Sequence, residues 1–441
     1  MEAIRQEACD ASVVAPQAAR SETGLDKTDC PPARKTPFSR ESSQVALLTA
    51  GRDRPYALGL AASLISEGVS FDFVGSDELD SAELRSSPLV RFLNLRGDMR
   101  PDASAASKVV RVLAYYGRLL AYAATARPRV FHILWNNKLE LLDRTLLMIY
   151  YRLLGKRIAF TIHNVNIKWR DGNDSLLNRL TLRAQYRLAD QLFVHTEQMK
   201  RELRTDFGVP DRKISVIPFG INSTVPDTAL TSAEAKQRLG LTVREKAVLF
   251  FGNIAPYKGL EYLVEAMALL AQTDPDYRLI IAGRPKNCPD YWADVRQRIA
   301  RAGLGTCVIE RIEYVSDADT ELYFKAADVL VLPYTYIFQS GVLFLGYNFG
   351  LPVIAADVGS LKEDIIEGKT GLVSRPRDPG HLAECIKTYF ASDFYRQLAE
   401  RRPDIQAFAK ERYSWARVGE ITTEVYRRLL GMARRPQPVE R

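Results

Sequence analysis

A chain of 441 residues, 46% hydrophobic and 26% charged, has ordinary globular composition, which excludes a collagen-like, wholly disordered or membrane-bundle protein. At ~150 residues per domain the length predicts two or three domains. The net charge of +8 admits phosphate-bearing partners (nucleic acid, an anionic lipid surface, a nucleotide substrate) without selecting one.

The five cysteines, Cys9, Cys30, Cys288, Cys307 and Cys385, are odd in number, widely spaced and free of any C-x-x-C. That disfavours a disulfide framework or a zinc site and fits a reducing compartment. The first thirty residues carry Glu2, Glu7 and Asp10 and no apolar core, so no secretory signal is expected. The longest apolar stretch, Val109 to Ala126, is broken by Arg111 and Arg118 and falls short of the ~20 apolar residues that span a bilayer. The expected location is the cytoplasm, with the inner face of the membrane open to it.

In chain order, residues 1–43 read as a disordered tail, since Ala, Ser, Pro, Arg and Asp mix there without a period. Strands are predicted at Val45–Thr49, Ser70–Val74, Val130–Leu134, Arg157–Ile162, Gln191–His195 and Lys213–Ile217. Between them the pattern predicts helices at Ala57–Glu67, Val109–Ala126, Leu141–Leu154, Leu176–Ala189 and Glu197–Asp206. The polar stretch Asn222–Ala233 reads as a linker. The alternation then resumes, with strands at Ala247–Phe251, Tyr277–Ala282, Cys307–Ile312, Val329–Pro333 and Val353–Ala355. Helices follow at Leu260–Ala271, Trp292–Ala302, Asp317–Ala327, Val342–Phe349 and Pro379–Phe390, then long helical segments to Met432. Continuous apolar strands with helical crossovers indicate parallel sheets covered on both faces. The expected fold is therefore α/β, with two tandem Rossmann-like doubly wound domains at 44–222 and 223–405 and a cleft between them. Helices at 406–432 are expected to pack back on the first domain, and 433–441 to form a tail. Ligands of such sheets bind at the carboxyl ends of the strands.

Four segments fall at strand ends. In Gly252-Asn253-Ile254-Ala255-Pro256-Tyr257-Lys258-Gly259, Gly252 lets a ligand approach backbone N–H groups, and the following helix start with Lys258 suits an anion. In Gln339-Ser340-Gly341-Val342, Ser340 is placed to cap a helix and Gly341 removes a Cβ that would block a phosphate. The two helix starts can converge on one diphosphate. His163-Asn164 follows a first-domain strand, where a neutral imidazole can meet a sugar hydroxyl or assist proton movement. The other histidines, His132, His195 and His381, stand at no metal-ligand spacing from it, and no metal site is expected. The loop Gly51-Arg52-Asp53-Arg54 also faces the cleft. Neither a Walker P-loop nor a G-x-G-x-x-G fingerprint is present, which argues against an NTPase or a dinucleotide oxidoreductase.

Taken in order, these segments resemble the GT-B fold glycosyltransferases of family four, the group 1 type. So do Phe349-Gly350-Leu351-Pro352-Val353-Ile354-Ala355, Asp357-Val358-Gly359-Ser360-Leu361-Lys362-Glu363 and Gly368-Lys369-Thr370-Gly371-Leu372-Val373, and Val216-Ile217-Pro218-Phe219-Gly220-Ile221 in the interdomain link. The resemblance covers roughly residues 45 to 430 and is strongest from 247 to 380. It implies a nucleotide-sugar donor, UDP- or GDP-linked, held mainly by the second domain. It implies an acceptor held mainly by the first, a glycan or lipid-linked saccharide as in bacterial polysaccharide pathways. Transfer with retention of configuration is implied, without a tightly bound cofactor or metal. A nucleic-acid partner rests on charge alone and is not expected.

By the same resemblance Lys258 meets the donor phosphates and Ser340 to Val342 cradle the diphosphate. Gly283 and Arg284 line the donor pocket, Ile312 and Glu313 flank the base, and His163 lies near the transferred sugar. Two features depart from the pattern. Asn253 stands where many members have arginine, and Ile337 and Leu345 stand where many have glutamates. The alternatives are another GT-B enzyme, such as a nucleotide-sugar epimerase or a sugar phosphorylase, or a catalytically degenerate nucleotide-sugar-binding regulatory or scaffolding protein. The basic and aromatic helices around Arg111, Tyr115, Tyr116, Arg118 and Tyr122, and around Arg144, Tyr150, Tyr151, Arg152 and Lys156, suggest peripheral contact with anionic lipid. Core aromatics with solvated arginines are the plainer account of the same pattern.

Overall fold

The computed structural model describes residues 43–432, apart from 52, 101–103, 138, 167, 169–173, 221–224 and 287. The expected tails, all but residue 43, and Arg52 lie outside the described residues.

The first sheet has seven parallel strands in the order β3-β2-β1-β4-β5-β6-β7. They are β1 (Val45–Leu48), β2 (Phe71–Gly75), β3 (Val90–Asn94), β4 (Val130–Ile133), β5 (Arg157–Thr161), β6 (Gln191–Val194) and β7 (Ile214–Val216). The central strands are buried along their length, as continuous Val, Leu, Ile and Phe runs require of a sheet covered on both faces. The crossovers are α1 (Arg54–Ser66), α2 (Ala105–Thr125), α3 (Leu147–Leu153, entered through a π-helical turn at Leu142–Leu146), α4 (Leu176–Leu188) and α5 (Glu197–Phe207). Side chains of α2 to α5 share one core cluster with β1 and β4 to β6, while α1 packs in a second cluster on the opposite face.

The second sheet has six parallel strands in the order β10-β9-β8-β11-β12-β13. They are β8 (Lys246–Phe251), β9 (Tyr277–Ala282), β10 (Val308–Arg311), β11 (Val329–Leu332), β12 (Val353–Ala356) and β13 (Gly371–Ser374). Its helices are α6 (Ser232–Arg238), α7 (Leu260–Ala271), α8 (Pro289–Arg301), α9 (Asp317–Ala326), α10 (Gly341–Asn348), α11 (Pro379–Ala391) and α12 (Leu398–Arg412); α13 (Trp415–Leu430) closes the described chain. Both sheets belong to one compact unit.

Several expectations change. Strands β3 and β13 were not predicted: Arg91 and Asn94 interrupt the apolar residues of β3, and Gly371 and Ser374 leave only two apolar residues in β13, so neither shows a continuous apolar run. The expected linker ends in α6, which Thr231 opens with a capping box to Glu234. Helix α12 runs unbroken through the expected boundary at 405, and Ile405, Ala409 and Tyr413 lie in the second sheet's core. Only α13 crosses to the first sheet: Tyr426 Oη lies 2.6 Å from His132 Nδ1 in β4. Its first residue, Trp415, occupies the space that a Cβ on Gly59 or Gly220 would need, at 2.2 and 2.3 Å. Of the aromatics expected to face lipid, Tyr115, Tyr116 and Tyr151 are buried in the core. Among the described residues no helix is long and apolar enough to cross a membrane.

Candidate active site

The carboxyl ends of β8, β9 and β11 build one lip of the cleft. Gly252 leaves β8 at φ 95°, and Gly283 leaves β9 at φ 150° so close by that a Cβ on it would sit 1.9 Å from the Gly252 carbonyl oxygen. Only glycine fits there. The Gly252 N–H itself donates to the Ala282 carbonyl at 2.8 Å and is spent within the sheet. What Gly252 supplies is room. The point where its Cβ would stand lies 3.1 Å from Lys258 Nζ and 3.6 Å from Val342 Cγ2, which brings the two predicted phosphate-binding segments together.

Lys258 is only 6% exposed. Its Nζ reaches the Phe251 carbonyl at 3.5 Å and lies 5.3 Å from the Tyr334 ring centre. Among the described residues no carboxylate pairs with it, and burial pushes its ammonium down to about 8. A buried cation without a counter-charge is costly to the fold, and an anion beside it relieves that cost.

The helix starts divide. At α7 the Leu260 N–H donates to Tyr291 Oη at 3.0 Å, and Tyr291 in turn donates to Glu261. That end is closed by the protein and carries an acid in its first turn, contrary to the expectation of an anion site there. At α10, Ser340 holds the N-cap position without capping: its hydroxyl lies 3.4 Å from Tyr334 Oη and no side chain caps the first turn. This second start keeps its first N–H groups free of a side-chain cap, which suits an anion. A Cβ on Gly341 would meet only Phe219, at 3.8 Å, so the protein itself does not require glycine there. Gln339 Oε1 is enclosed without a hydrogen-bond partner.

The outer donor-side residues are more exposed. Asn253 and Arg284 face solvent, and the Arg284 guanidinium lies 5.4 Å from the ring centre of Tyr314. Ile312 is half-buried against the core, and Glu313 is paired with Arg311 at 2.6 Å. Ile337 and Leu345, at the positions where the resemblance suggests glutamates, pack against the second core.

On the opposite lip His163 is stacked on Trp135, with ring centres 4.4 Å apart and planes 4° from parallel, and meets the Tyr56 ring edge-on at 4.8 Å. Its Nδ1 lies 3.3 Å from His195 Nε2, a contact the sequence reading missed. Burial first, and the neighbouring His195 second, hold His163 well below the usual imidazole range; burial pushes His195 down to about 4. Both rings are neutral at physiological pH, and His163 Nε2 is enclosed without a partner. Among the described residues no group of three or more His, Cys, Asp or Glu could hold a metal ion.

Gly51, at φ 70°, is buried, and a Cβ on it would strike Met99 Sδ at 2.5 Å, so its glycine serves packing in this tight loop. Arg54 is exposed in the first turn of α1, and Asn164 is half-buried beside His163. Phe219 connects the lips, with its ring 5.1 Å from His195 and 5.6 Å from Phe344 of α10. A cavity of about 330 Å³ opens beyond, between Asn166, Arg179 and Arg183 of the first domain and Tyr336 and Phe338 of the second.

Two family profiles match this chain, Glycosyltransferase Family 4 over residues 55–225 and Glycosyl transferases group 1 over residues 245–392. The chain is a group 1, family 4 glycosyltransferase. The transferase is 26% identical over 386 residues to the D-inositol 3-phosphate glycosyltransferase of Corynebacterium glutamicum, covering 84% of this chain and 90% of that one. Its fold is that of solved GT-B enzymes. Sucrose-phosphate synthase of Thermosynechococcus elongatus superposes with a TM-score of 0.69 at 21% identity, over 88% of this chain and 99% of the other. HepE of Anabaena, solved in complex with UDP, superposes with a TM-score of 0.65 at 18% identity, over 87% and 99%.

Proposed function

We propose that this glycosyltransferase takes its sugar from a UDP- or GDP-linked donor and passes it, with retention of configuration, to a glycan or lipid-linked saccharide in polysaccharide or glycoconjugate biosynthesis. The observation that carries the donor assignment is Lys258, a buried cation with no carboxylate partner, facing the uncapped start of α10 across Gly252. An anion of diphosphate size completes that arrangement. The crystallised complexes of HepE with UDP and with UDP-glucose are consistent with it. On this reading Gly252, Gly283, Ser340, Gly341 and Val342 shape the diphosphate cradle. Gln339 offers its unpartnered oxygen to a donor hydroxyl, and Arg284, Ile312 and Glu313 border the base.

In the transfer step the bond from the anomeric carbon to the diphosphate breaks and its electron pair leaves with the phosphate. Lys258 and the α10 dipole stabilise that growing charge, the main electrostatic demand of the step. The acceptor oxygen bonds to the anomeric carbon from the same face, and its proton passes to a phosphate oxygen. His163, neutral and fixed between Trp135 and His195, orients the sugar through Nε2. Asn164, Arg54 and the cavity by Arg183 lie on the acceptor side, and the protein works at the inner face of the membrane.

A thermal-shift titration with UDP, GDP and ADP tests the donor site. Ligand binding to the native state raises stability by mass action, so one diphosphate is expected to give a concentration-dependent shift. Lys258→Ala is expected to abolish it. An equal or absent response to all three diphosphates in folded protein defeats the assignment.

A further inference from the structure

Helices α2, α3 and α4 cover the same face of the first sheet, and their outward sides are unusually apolar. Among the described residues, thirteen of the seventeen large hydrophobic side chains that face solvent lie between residues 109 and 180. Val110 and Leu113 of α2 are 65% and 61% exposed, Leu146 before α3 is 62% exposed, and Leu176 and Leu177 of α4 are 74% and 61% exposed. The three helices adjoin one another: Tyr150 Oη donates to the Leu120 carbonyl at 3.1 Å, and Arg144 Nη1 donates to Asn178 Oδ1 at 2.8 Å. The apolar side chains therefore form one surface rather than scattered singles. Each helix follows a strand of a parallel sheet, so its first turns start at the carboxyl edge, the edge that bears His163. Val110, Leu146, Leu176 and Leu177 lie toward that edge, Leu113 lies mid-way along α2, and Leu120, Leu153 and Leu154 lie toward the opposite edge, so the apolar surface runs the length of this face.

Charge identifies what covers this face. Helices α2, α3 and α4 contain seven Lys and Arg residues and no Asp or Glu. Neighbouring acids are already engaged, Asp98 by Arg111, Asp174 by Arg179 and Asp190 by Arg152. Lys108, Arg118, Arg183 and Arg187 pair with no carboxylate among the described residues. A second copy of the chain meeting this face by two-fold symmetry would set like charge against like. An anionic bilayer satisfies both features, since apolar side chains enter the headgroup boundary while the basic ones meet lipid phosphates.

We infer that the exposed apolar and basic face of α2, α3 and α4 is a docking surface for an anionic lipid bilayer, holding the first domain against the membrane. The inference deepens the reading of a lipid-linked acceptor and rests on it for the meaning of the orientation, though not for the binding itself.

Co-sedimentation of the full chain with phosphatidylcholine vesicles, with and without phosphatidylglycerol, tests it. Strong binding to the anionic vesicles is expected, weakened by salt, with little to phosphatidylcholine alone. The variant Val110→Ser/Leu113→Ser/Leu146→Ser/Leu177→Ser is expected to lose about tenfold or more in vesicle partition. Arg118→Glu/Arg187→Glu is expected to lose the preference for anionic lipid. Both variants alter exposed positions and should melt with the wild type. No binding by the wild type, or equal binding by folded variants, overturns the proposal. So does a wild-type dimer that the serine variant converts to a monomer, because a second copy would then own the face. UDP titration of the same samples keeps the two readings apart: vesicle binding without nucleotide binding sinks the donor assignment and leaves the surface standing.

Discussion

The first-domain lip of the cleft holds groups that are comfortable without charge: the half-buried His163 and the buried His195, packed among Trp135, Tyr56 and Phe219. The second-domain lip buries one group that is not, the ammonium of Lys258. Burial and protonation state agree on one side and conflict on the other. An aromatic and imidazole wall can be complete in the folded protein. Among the described residues Lys258 has no counter-charge, so on the proposed reading the second lip gives up stability that a bound anion restores.

The largest expected effect breaks that conflict. Lys258→Met should lower donor turnover by about 10²–10³-fold, the usual loss for one group that stabilises transition-state charge. The same change should stabilise the empty protein by up to about 3 kcal/mol, because the lysine titrates near 8 in the fold against 10.5 free. The penalty grows as pH falls from 10.5 towards 8 and is full below that. The gain in melting temperature should therefore be present at pH 7 and fade by pH 10.5. A methionine variant that is both inactive and less stable at pH 7 would contradict the comparison.

Two glycines on the second lip separate the needs of the fold from those of the ligand. Gly283→Ala should destabilise by about 3 kcal/mol or more, since its Cβ would strike the Gly252 carbonyl in a backbone conformation that other residues avoid. Gly341→Ala should leave the stability within about 0.5 kcal/mol of wild type, since nothing crowds it. If Gly341→Ala also leaves diphosphate binding unchanged, α10 does not hold the phosphates.

The first lip should show itself in acid. His195 titrates near 4 folded and near 6.5 free, so the unfolded chain binds the proton first as pH falls. Its contribution is intact above about pH 6.5 and falls by about 3 kcal/mol by pH 4, with His163 adding in the same direction. Urea midpoints measured from pH 7 to 4 should drop, and His195→Gln should flatten the profile. A variant profile parallel to wild type would show that the imidazoles are not buried neutral.

The smallest effect is the most specific. His163→Ala should lower kcat by about 10- to 100-fold and leave UDP affinity near wild type, as an orienting contact to the sugar requires. A loss confined to nucleotide affinity would move His163 out of that role.

The central strands were legible because each is a continuous apolar run, and the family resemblance was legible because its motifs fall at strand ends. Strands β3 and β13 were not, because Arg91 and Asn94 interrupt the one and Gly371 and Ser374 shorten the apolar run of the other to two residues. The α7 start looked open from residue types alone; Tyr291, thirty-one residues beyond Leu260, closes it. Lys258 could be named as a phosphate ligand, but its burial and missing counter-charge could not.

Periodicity, strand-end glycines and motif order thus determined two parallel α/β sheets and the glycosyltransferase family, because these are local properties of the chain. Which strands lie side by side is not local. Parallel pairing of β5 with β6 sets Thr161 against Phe193, and the same register carries His163 to His195. Gly59 and Gly220 become necessary only when Trp415 returns from the end of the chain to fill the space beside them. The apolar residues of α2 to α4 read as core until the sheet shows which side of each helix it covers. Those facts depend on contacts between distant segments, and only the tertiary structure decided them.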